Sequence, residues 1–247
     1  MISRRGNLPE PAAHSAPRTE PATPSSDRFA AALRGFGPLG IVVILSILLT
    51  GNVTVGDMIV LPVGAALVLV WARLSRTPWR EIGYVRPRSW ILTVAGGIAF
   101  GVAFKFLMKA IVMPLFGAPP INRAYHFLAG NSGMLPAAVW GMLVAGFGEE
   151  TIFRGYFFER LGKLLGQSAG AKAAIVLVTS IVFGLDHYSV QGLAGAEQAA
   201  IVGLVFGSIA AVTDRIVMLM FAHAAFDLTA LAIIYFGLES RVAHLVF

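Results

Sequence analysis

The stretch from Gly146 to Arg154 reads Gly-Phe-Gly-Glu-Glu-Thr-Ile-Phe-Arg and follows a long run of apolar residues. A charged side chain at the centre of a membrane-spanning helix costs roughly 2.5–3.5 kcal/mol on insertion scales, so such residues mark functional sites or buried pairs. Glu150 and Arg154 share a helix face at the spacing of an ion pair. The position four residues after Glu149 is Phe153. We therefore expect Glu150 and Arg154 to form a structural pair, and Glu149 to be the candidate general base.

The composition of the chain indicates an integral membrane protein. Of its 247 residues, 57% are hydrophobic and only 13% are charged, and the mean hydropathy is +0.76. A soluble domain has about 25% charged residues. The chain has no cysteine, which excludes disulfides and thiol chemistry.

The N-terminal segment differs in composition from the rest. It is rich in Pro, Ala and Ser and has no apolar run, so it is not a secretory signal peptide and is typical of a disordered segment. We predict a disordered cytoplasmic tail over residues 1–30, followed by a transmembrane domain over residues 31–247.

The apolar runs predict an all-α fold, a polytopic transmembrane bundle of about seven or eight helices around a polar intramembrane cavity. A helix needs about 20 residues to cross a hydrocarbon core about 30 Å thick. Two of the predicted spans are shorter, which favours positions inside a bundle around a wet cavity. The seven predicted spans are Phe36–Val55, Met58–Leu74, Trp90–Phe116, Leu135–Phe158, Ala173–His187, Glu197–Thr213 and Ile216–Phe236.

The basic residues predict the orientation of this bundle. With seven spans, nearly all basic residues of the tail and the connections fall on one side of the membrane. The opposite side has only Arg123 and Arg241. By the positive-inside rule the basic side is cytoplasmic, so the chain is predicted to be a multi-pass protein of the cell inner (plasma) membrane with a cytoplasmic N-terminus. Topology thus explains the net charge of +6, and the predicted partners are the lipid bilayer and no nucleic acid. The basic side comprises the arginines of the N-terminal segment and of the second connection, with Arg160, Lys163, Lys172 and Arg215.

Two histidines in apolar spans add to the acidic pair. At 1.5 Å per residue, Glu149, His187 and His223 lie roughly 16, 22 and 12 Å from the basic side. We expect these three side chains to converge on one cavity. Asp227 follows His223 by four residues, so its carboxylate is expected to orient the imidazole or to face the cavity beside it.

Lys105 and Lys109 are the charged residues of the third span and share a face. We interpret both as snorkelling towards the outer surface, with the amine in water and the aliphatic stem against the bundle.

These residue types leave two chemistries open. Glu149, His187 and His223 could ligate a divalent metal such as zinc with one open position. The same groups could act without metal, with a carboxylate and a histidine polarising water while the second histidine and Asp227 stabilise an oxyanion. Both routes lead to hydrolysis of an acyl bond.

Three short motifs then carry a family resemblance. The chain resembles the CAAX-prenyl-protease and bacteriocin-processing (Abi) family of intramembrane proteases, and the segment from Pro78 to Tyr84 is similar to a loop of that family. The three motifs are Glu149-Glu150-x-x-x-Arg154, Phe183-x-x-x-His187 and His223-x-x-x-Asp227.

The resemblance implies a CAAX-protease-like endopeptidase that acts on a membrane-associated peptide or protein. It implies that Glu149 and His187 activate the water, with His223 and residue 227 completing the site and Glu150 part of it. The third motif often ends in Asn, whereas here it ends in Asp227. The family is commonly labelled metalloprotease, although a metal-free glutamate mechanism has been argued for some members, so zinc remains an open cofactor.

The resemblance also implies a cavity that opens to the cytoplasm. The basic side chains of Arg154, Arg160 and Lys163 would attract a C-terminal carboxylate or an acidic peptide there. The alternative function is a non-enzymatic membrane protein of the immunity or scaffold type that keeps the motifs for structure. A transporter is a third possibility, against which the absence of recognisable inverted repeats counts.

Overall fold

The structure is a computed structural model that describes residues 25–54 and 57–246. Within these ranges all regular elements are helical, which confirms the predicted all-α class. Two π-helical segments, Met108–Val112 and Glu150–Phe157, connect α4 to α5 and α6 to α7. The helices are α1 Ser25–Gly35, α2 Gly37–Thr54, α3 Asp57–Leu74, α4 Trp90–Leu107, α5 Met113–Leu115, α6 Leu135–Glu149, α7 Phe158–Leu165, α8 Ala169–Thr213, α9 Val217–Tyr235 and α10 Glu239–Ala243.

These helices form a membrane bundle. Trp90–Leu115, Ala169–Thr213 and Val217–Tyr235 are each long and apolar enough to span a membrane, and a fourth span is added if the bent pair Asp27–Gly35 and Gly37–Leu48 counts as one. Helices also occupy each of the seven predicted ranges. The number of spans stays a prediction.

The N-terminal helix begins earlier than the predicted boundary. Helix α1 starts at Ser25, inside the segment predicted to be a disordered tail. Asp27 in its first turn and Arg34 in its last turn have the signs of charge that stabilise helix ends. Residues 1–24 of the predicted tail lie outside the described residues.

Helix α8 is a hairpin of two antiparallel arms rather than one rod. Its 45 residues would extend about 68 Å if straight, more than twice the thickness of a bilayer core. Gly192 breaks it with a φ of 65° and a ψ of −164°, a conformation that favours glycine. The arms, 169–191 and 193–213, correspond to the predicted fifth and sixth spans. They meet at three close pairs, Gly184 with Ala200, Ser180 with Gly203, and Val176 with Gly207.

Helix α9 lies at the centre of the bundle, between α4 and α6. A Cβ atom added at Gly146 of α6 would lie 2.5–2.8 Å from atoms of Ala224, so only glycine permits this approach of the two backbones. Cβ atoms added at Gly97 and Gly101 of α4 would likewise lie too close to backbone atoms on the other side of α9. Small residues of this kind let membrane helices pack closely. The close approach at Gly146 places His223, the neighbour of Ala224, beside the end of α6.

One end of the bundle gathers the basic connections, and we call it the basic end. Lys163 of α7 pairs with Glu81 at 2.9 Å, and Lys172 of α8 pairs with Asp214 at 3.4 Å. Arg160 donates to the backbone carbonyl of Arg34 at 2.8 Å. These contacts connect α1, α7, α8 and the two loops at this end.

At the opposite end, the connection 116–134 folds over the end of α9, and we call it the cover segment. The Gly130 N–H donates to the Tyr235 carbonyl at 3.0 Å. Glu239 of α10 accepts a hydrogen bond from the Asn122 backbone at 2.7 Å and lies 2.9 Å from Nδ1 of His126. Helices α9 and α10 therefore hold the cover segment in place.

Candidate active site

A buried ion pair lies at the start of the π-helical segment. Nη1 of Arg154 is 2.9 Å from Oε1 of Glu150, and the two side chains are 2% and 0% exposed. The pair expected from the i, i+4 spacing is thus present. The guanidinium also lies 4.6 Å from the ring centroid of Phe183, so the cation is enclosed by its carboxylate and an aromatic face.

His223 is held by the same carboxylate. Its Nδ1 lies 2.8 Å from Oε1 of Glu150, while its Nε2 lies 3.5 Å from Oε2 of Glu149 and 3.6 Å from Oδ2 of Asp227. Glu150 therefore makes the short bond to the imidazole, and Asp227 lines the cavity beside it, the second of the two positions expected for this carboxylate. The reason is the close packing of α9 on α6, which brings a carboxylate from another helix nearer than the one on α9 itself.

His187 is oriented by its own helix. Its Nδ1 lies 2.9 Å from the carbonyl oxygen of Phe183. A carbonyl only accepts, so Nδ1 carries the hydrogen and Nε2 has the lone pair. The rings of His187 and His223 both contact Phe183, at centroid distances of 4.6 and 6.0 Å. This phenyl ring thus brings the second and third motifs together.

The loop from Pro78 to Tyr84 supports the π-helical segment from the basic end. The Tyr84 hydroxyl lies 2.7 Å from Oγ1 of Thr151, and the Ile82 carbonyl packs against Gly155, where an added Cβ would lie 3.1 Å away. Burial raises the pKa of the Tyr84 phenol, so this group stays neutral. The loop therefore fixes the segment that carries Glu150 and Arg154.

One cavity of about 510 Å³ unites the candidate residues. Glu149, His187, His223 and Asp227 line it, whereas Glu150 and Arg154 lie behind this wall. Four of the six predicted site residues thus line one cavity. The other two lie next to it, because Glu150 bonds His223 and pairs with Arg154. The cavity also has six polar lining residues outside the predicted set, Lys105, Asn122, Tyr125, Asp186, Gln191 and Gln198.

The cavity lies on the side of the cover segment. Asn122, Tyr125, Phe127 and Leu128 line it, and the Arg160–Lys172 turn does not. The expectation that it opens at the basic end is therefore wrong. The cations expected to attract substrate there are engaged in structural contacts instead, and a separate cavity of about 500 Å³ occupies the basic end.

Lys105 also departs from its interpretation. It is 6% exposed, lines the cavity and donates from Nζ to Oε1 of Gln198 at 3.1 Å. Its hydrogen-bond partner is an amide inside the bundle, whereas a snorkelling amine would be hydrated at the membrane surface. Lys109 instead bonds the carbonyl of Pro120 in the cover segment at 2.5 Å. The sequence signal for Lys105 was a lysine within an apolar span; Gln198 gave no signal, because its role depends on how α8 folds back.

Within the described part of the chain, no group of three His, Asp or Glu side chains is arranged to hold a metal ion. Zinc binding by Glu149, His187 and His223 stays a prediction.

The comparisons with known proteins concern the region that builds this site. The profile of the family described as type II CAAX prenyl endopeptidase Rce1-like matches residues 131–229. No curated protein and no solved structure matches the chain. The matched region contains all three motifs, and the family is one of CAAX-type endopeptidases of the membrane. The resemblance to the CAAX-prenyl-protease and bacteriocin-processing family is therefore confirmed over residues 131–229.

Proposed function

We propose that the protein is an intramembrane endopeptidase that hydrolyses a peptide bond of a membrane-associated peptide or protein by means of an activated water. The observation that carries this proposal is that His223, fixed by the buried Glu150, faces Glu149 at 3.5 Å in the wall of a cavity of about 510 Å³. A carboxylate and an oriented imidazole at such a distance have the geometry needed for general acid–base catalysis.

Glu149 is proposed to take a proton from the water, whose oxygen attacks the carbonyl carbon of the peptide bond. The lone pair on Nε2 of His187 accepts the second hydrogen bond of that water. When the C–N bond breaks, Glu149 returns the proton to the leaving amine. The water is consumed, and the products are a carboxylic acid and an amine.

His223 is proposed to stabilise the oxyanion. Each of its ring nitrogens faces carboxylate oxygens, which accept hydrogen bonds when ionised, so both nitrogens act as donors. A donor held in advance at the position of developing negative charge lowers the barrier of acyl transfer. Glu150 is proposed to hold the Nδ1 side of the ring, so that the hydrogen on Nε2 is available to the oxyanion, with Asp227 beside it at 3.6 Å.

A metal-free reaction is the route that we favour, because a helix-borne Glu with two histidines from other helices lacks the His-x-x-x-His pair on one helix that preorganises many zinc sites. We expect cleavage to survive exhaustive treatment with a chelator, with metal content measured by mass spectrometry on the same sample. One tightly held zinc per active chain, with activity lost on chelation and restored by zinc, would establish the metalloprotease alternative.

The test of the function itself is a cleavage assay on the purified full chain with a library of lipid-anchored peptides, with products read by mass spectrometry. A product that appears with wild type and not with a catalytically impaired variant supports the endopeptidase. Absence of cleavage across the library would favour a non-enzymatic immunity or scaffold protein.

We further propose that the basic end faces the cytoplasm, so the cavity approaches the opposite surface of the membrane. In this cysteine-free chain, Asn131→Cys and Lys163→Cys can be compared in intact cells, since both positions are exposed and lie at opposite ends. A membrane-impermeant thiol reagent is expected to label position 131 and not position 163. The reverse labelling would invert the orientation.

A further inference from the structure

The cavity of about 500 Å³ at the basic end shares no lining residue with the cavity of the candidate active site. Its wall contains five cationic side chains and three carboxylates. The cations come from five parts of the chain, namely the loop between α3 and α4, the π-helical segment before α7, α7 itself, α8, and the connection between α8 and α9. They are Arg80, Arg154, Lys163, Lys172 and Arg215.

The three carboxylates of this wall each have a cationic partner. Both oxygens of Glu159 accept hydrogen bonds from Arg160. No salt bridge among the described residues includes Arg80 or Arg215. The wall therefore has two guanidinium groups that no carboxylate neutralises. The other two pairs are Lys163 with Glu81 at 2.9 Å and Lys172 with Asp214 at 3.4 Å.

The cavity extends as far as the buried ion pair of the π-helical segment. Arg154 lines it although its side chain is only 2% exposed, and its partner Glu150 does not line it. An anion in this cavity would lie beside a cation that is largely shielded from water, where attraction is screened less than between exposed charges. The cavity therefore differs from an ordinary basic membrane surface, on which every cation is hydrated.

These side chains suit a phosphate group better than a carboxylate. The planar guanidinium of arginine donates two parallel hydrogen bonds to phosphate oxygens. A phosphate monoester carries about 1.5 to 2 negative charges at pH 7, which matches the two uncompensated arginines, whereas a carboxylate carries one. Exposed pairs such as that of Lys163 and Glu81 contribute little to stability, so these lysines can also turn to an anion. Small-molecule sites occupy about 300–1,000 Å³, a range that includes this cavity.

Exposed apolar side chains lie next to the lining residues. Trp79 precedes Arg80 and is 44% exposed, and Val212 follows Ala211 of the wall and is 83% exposed. Tryptophan is enriched where membrane proteins meet the lipid headgroups. A phosphate attached to acyl chains would therefore find cations for its headgroup and apolar contacts for its chains.

We propose that the cavity at the basic end binds a phosphate group, with Arg80 and Arg215 as its principal donors. Two sources can supply this group, an anionic phospholipid of the adjacent leaflet or a soluble phosphate compound, and the experiment below distinguishes them. The site lies on the other side of the Glu150–Arg154 pair from the cavity of the candidate active site, and the proposed peptide hydrolysis does not require it.

The experiment titrates the purified full chain in detergent with phosphatidic acid and with phosphatidylcholine of the same acyl chains, and native mass spectrometry measures bound lipid. Charge-assisted bonds predict that phosphatidic acid binds about 10- to 100-fold more tightly. The double variant Arg80→Gln with Arg215→Gln should reduce this preference by about tenfold or more. Inorganic phosphate is titrated separately by calorimetry. Preference for phosphatidic acid identifies the lipid as the source, whereas phosphate binding without that preference identifies a soluble compound.

The matched control is Arg86→Gln with Arg88→Gln. These two arginines are exposed, belong to the same connection as Arg80 and do not line the cavity. The control removes the same charge from the basic side, so it should keep the ligand preference if the cavity is the site. None of the four arginines forms a salt bridge among the described residues, so both double variants should melt like the wild type.

Three results would overturn the inference. The first is that neither phosphatidic acid is preferred nor inorganic phosphate bound. The second is an equal loss of binding in both double variants, which would indicate attraction to the basic surface as a whole. The third is unchanged binding without Arg80 and Arg215. If that double variant unfolds, the single variant Arg215→Gln replaces it, with an expected loss of about threefold to tenfold.

Discussion

Glu149→Gln is expected to reduce peptide cleavage by a factor of about 10²–10⁴, the usual contribution of a positioned general base. Glutamine keeps the shape of the side chain and its place in the cavity wall but cannot take a proton from water. The neighbouring pair of Glu150 and Arg154 stays intact, so the thermal unfolding of the variant should match that of the wild type. Rates on the best library peptide and melting curves in the same detergent measure the two effects.

The matched control for this change is Glu81→Gln, the same substitution at the basic end, where Glu81 pairs with Lys163 away from the cavity. It should retain full activity. If the Glu149→Gln variant cleaves the peptide at the wild-type rate, Glu149 is not the general base. A loss of activity accompanied by unfolding would show instead that Glu149 supports the fold.

Glu150→Ala is expected to lower the free energy of unfolding by about 3–5 kcal/mol, because it leaves the buried Arg154 cation without its anion. The Arg154 side chain is only 2% exposed, so water cannot replace the carboxylate. The same change removes the bond to Nδ1 of His223 and should disorder the imidazole. Unfolding by denaturant in mild detergent micelles, followed by circular dichroism, measures the loss of stability.

A double variant separates these two roles of Glu150. In Glu150→Leu with Arg154→Met, both charges are replaced by apolar side chains, so much of the lost stability should return. Cleavage should not return with it, since His223 still lacks its orienting carboxylate. Equal destabilisation by Glu149→Gln and Glu150→Ala would contradict the division of roles between the two acids.

The sequence was most informative where a contact lies within one helix. The spacing of Glu150 and Arg154 determines their contact, because helical geometry alone places them together. The bond between Glu150 and His223, and that between Lys105 and Gln198, depend on how α4, α6, α8 and α9 rotate and pack. Such packing is set by close approaches at glycines, and these cannot be paired from sequence alone.

The motifs predicted which residues share a cavity but not the end at which it lies. Counting basic residues reports how a chain is oriented in a membrane, whereas a cavity forms where helices diverge. Here the cavity of the candidate site lies beneath the cover segment, while at the basic end Lys163, Lys172 and Arg160 connect the elements. The basic residues and the cavity of the candidate site therefore occupy opposite ends for independent reasons.

The break at Gly192 divides the chain into two parts, each of which carries some of the candidate site residues. The half before it carries Glu149, Glu150, Arg154 and His187, and the half after it carries His223 and Asp227. Gly192 is exposed, with open space where a side chain would begin, so the arms of α8 associate by packing and need no bond at the turn. If the chain is expressed as two separate fragments divided at Gly192, neither fragment has a complete site. Peptide cleavage by the co-expressed fragments would show that they associate within the bilayer.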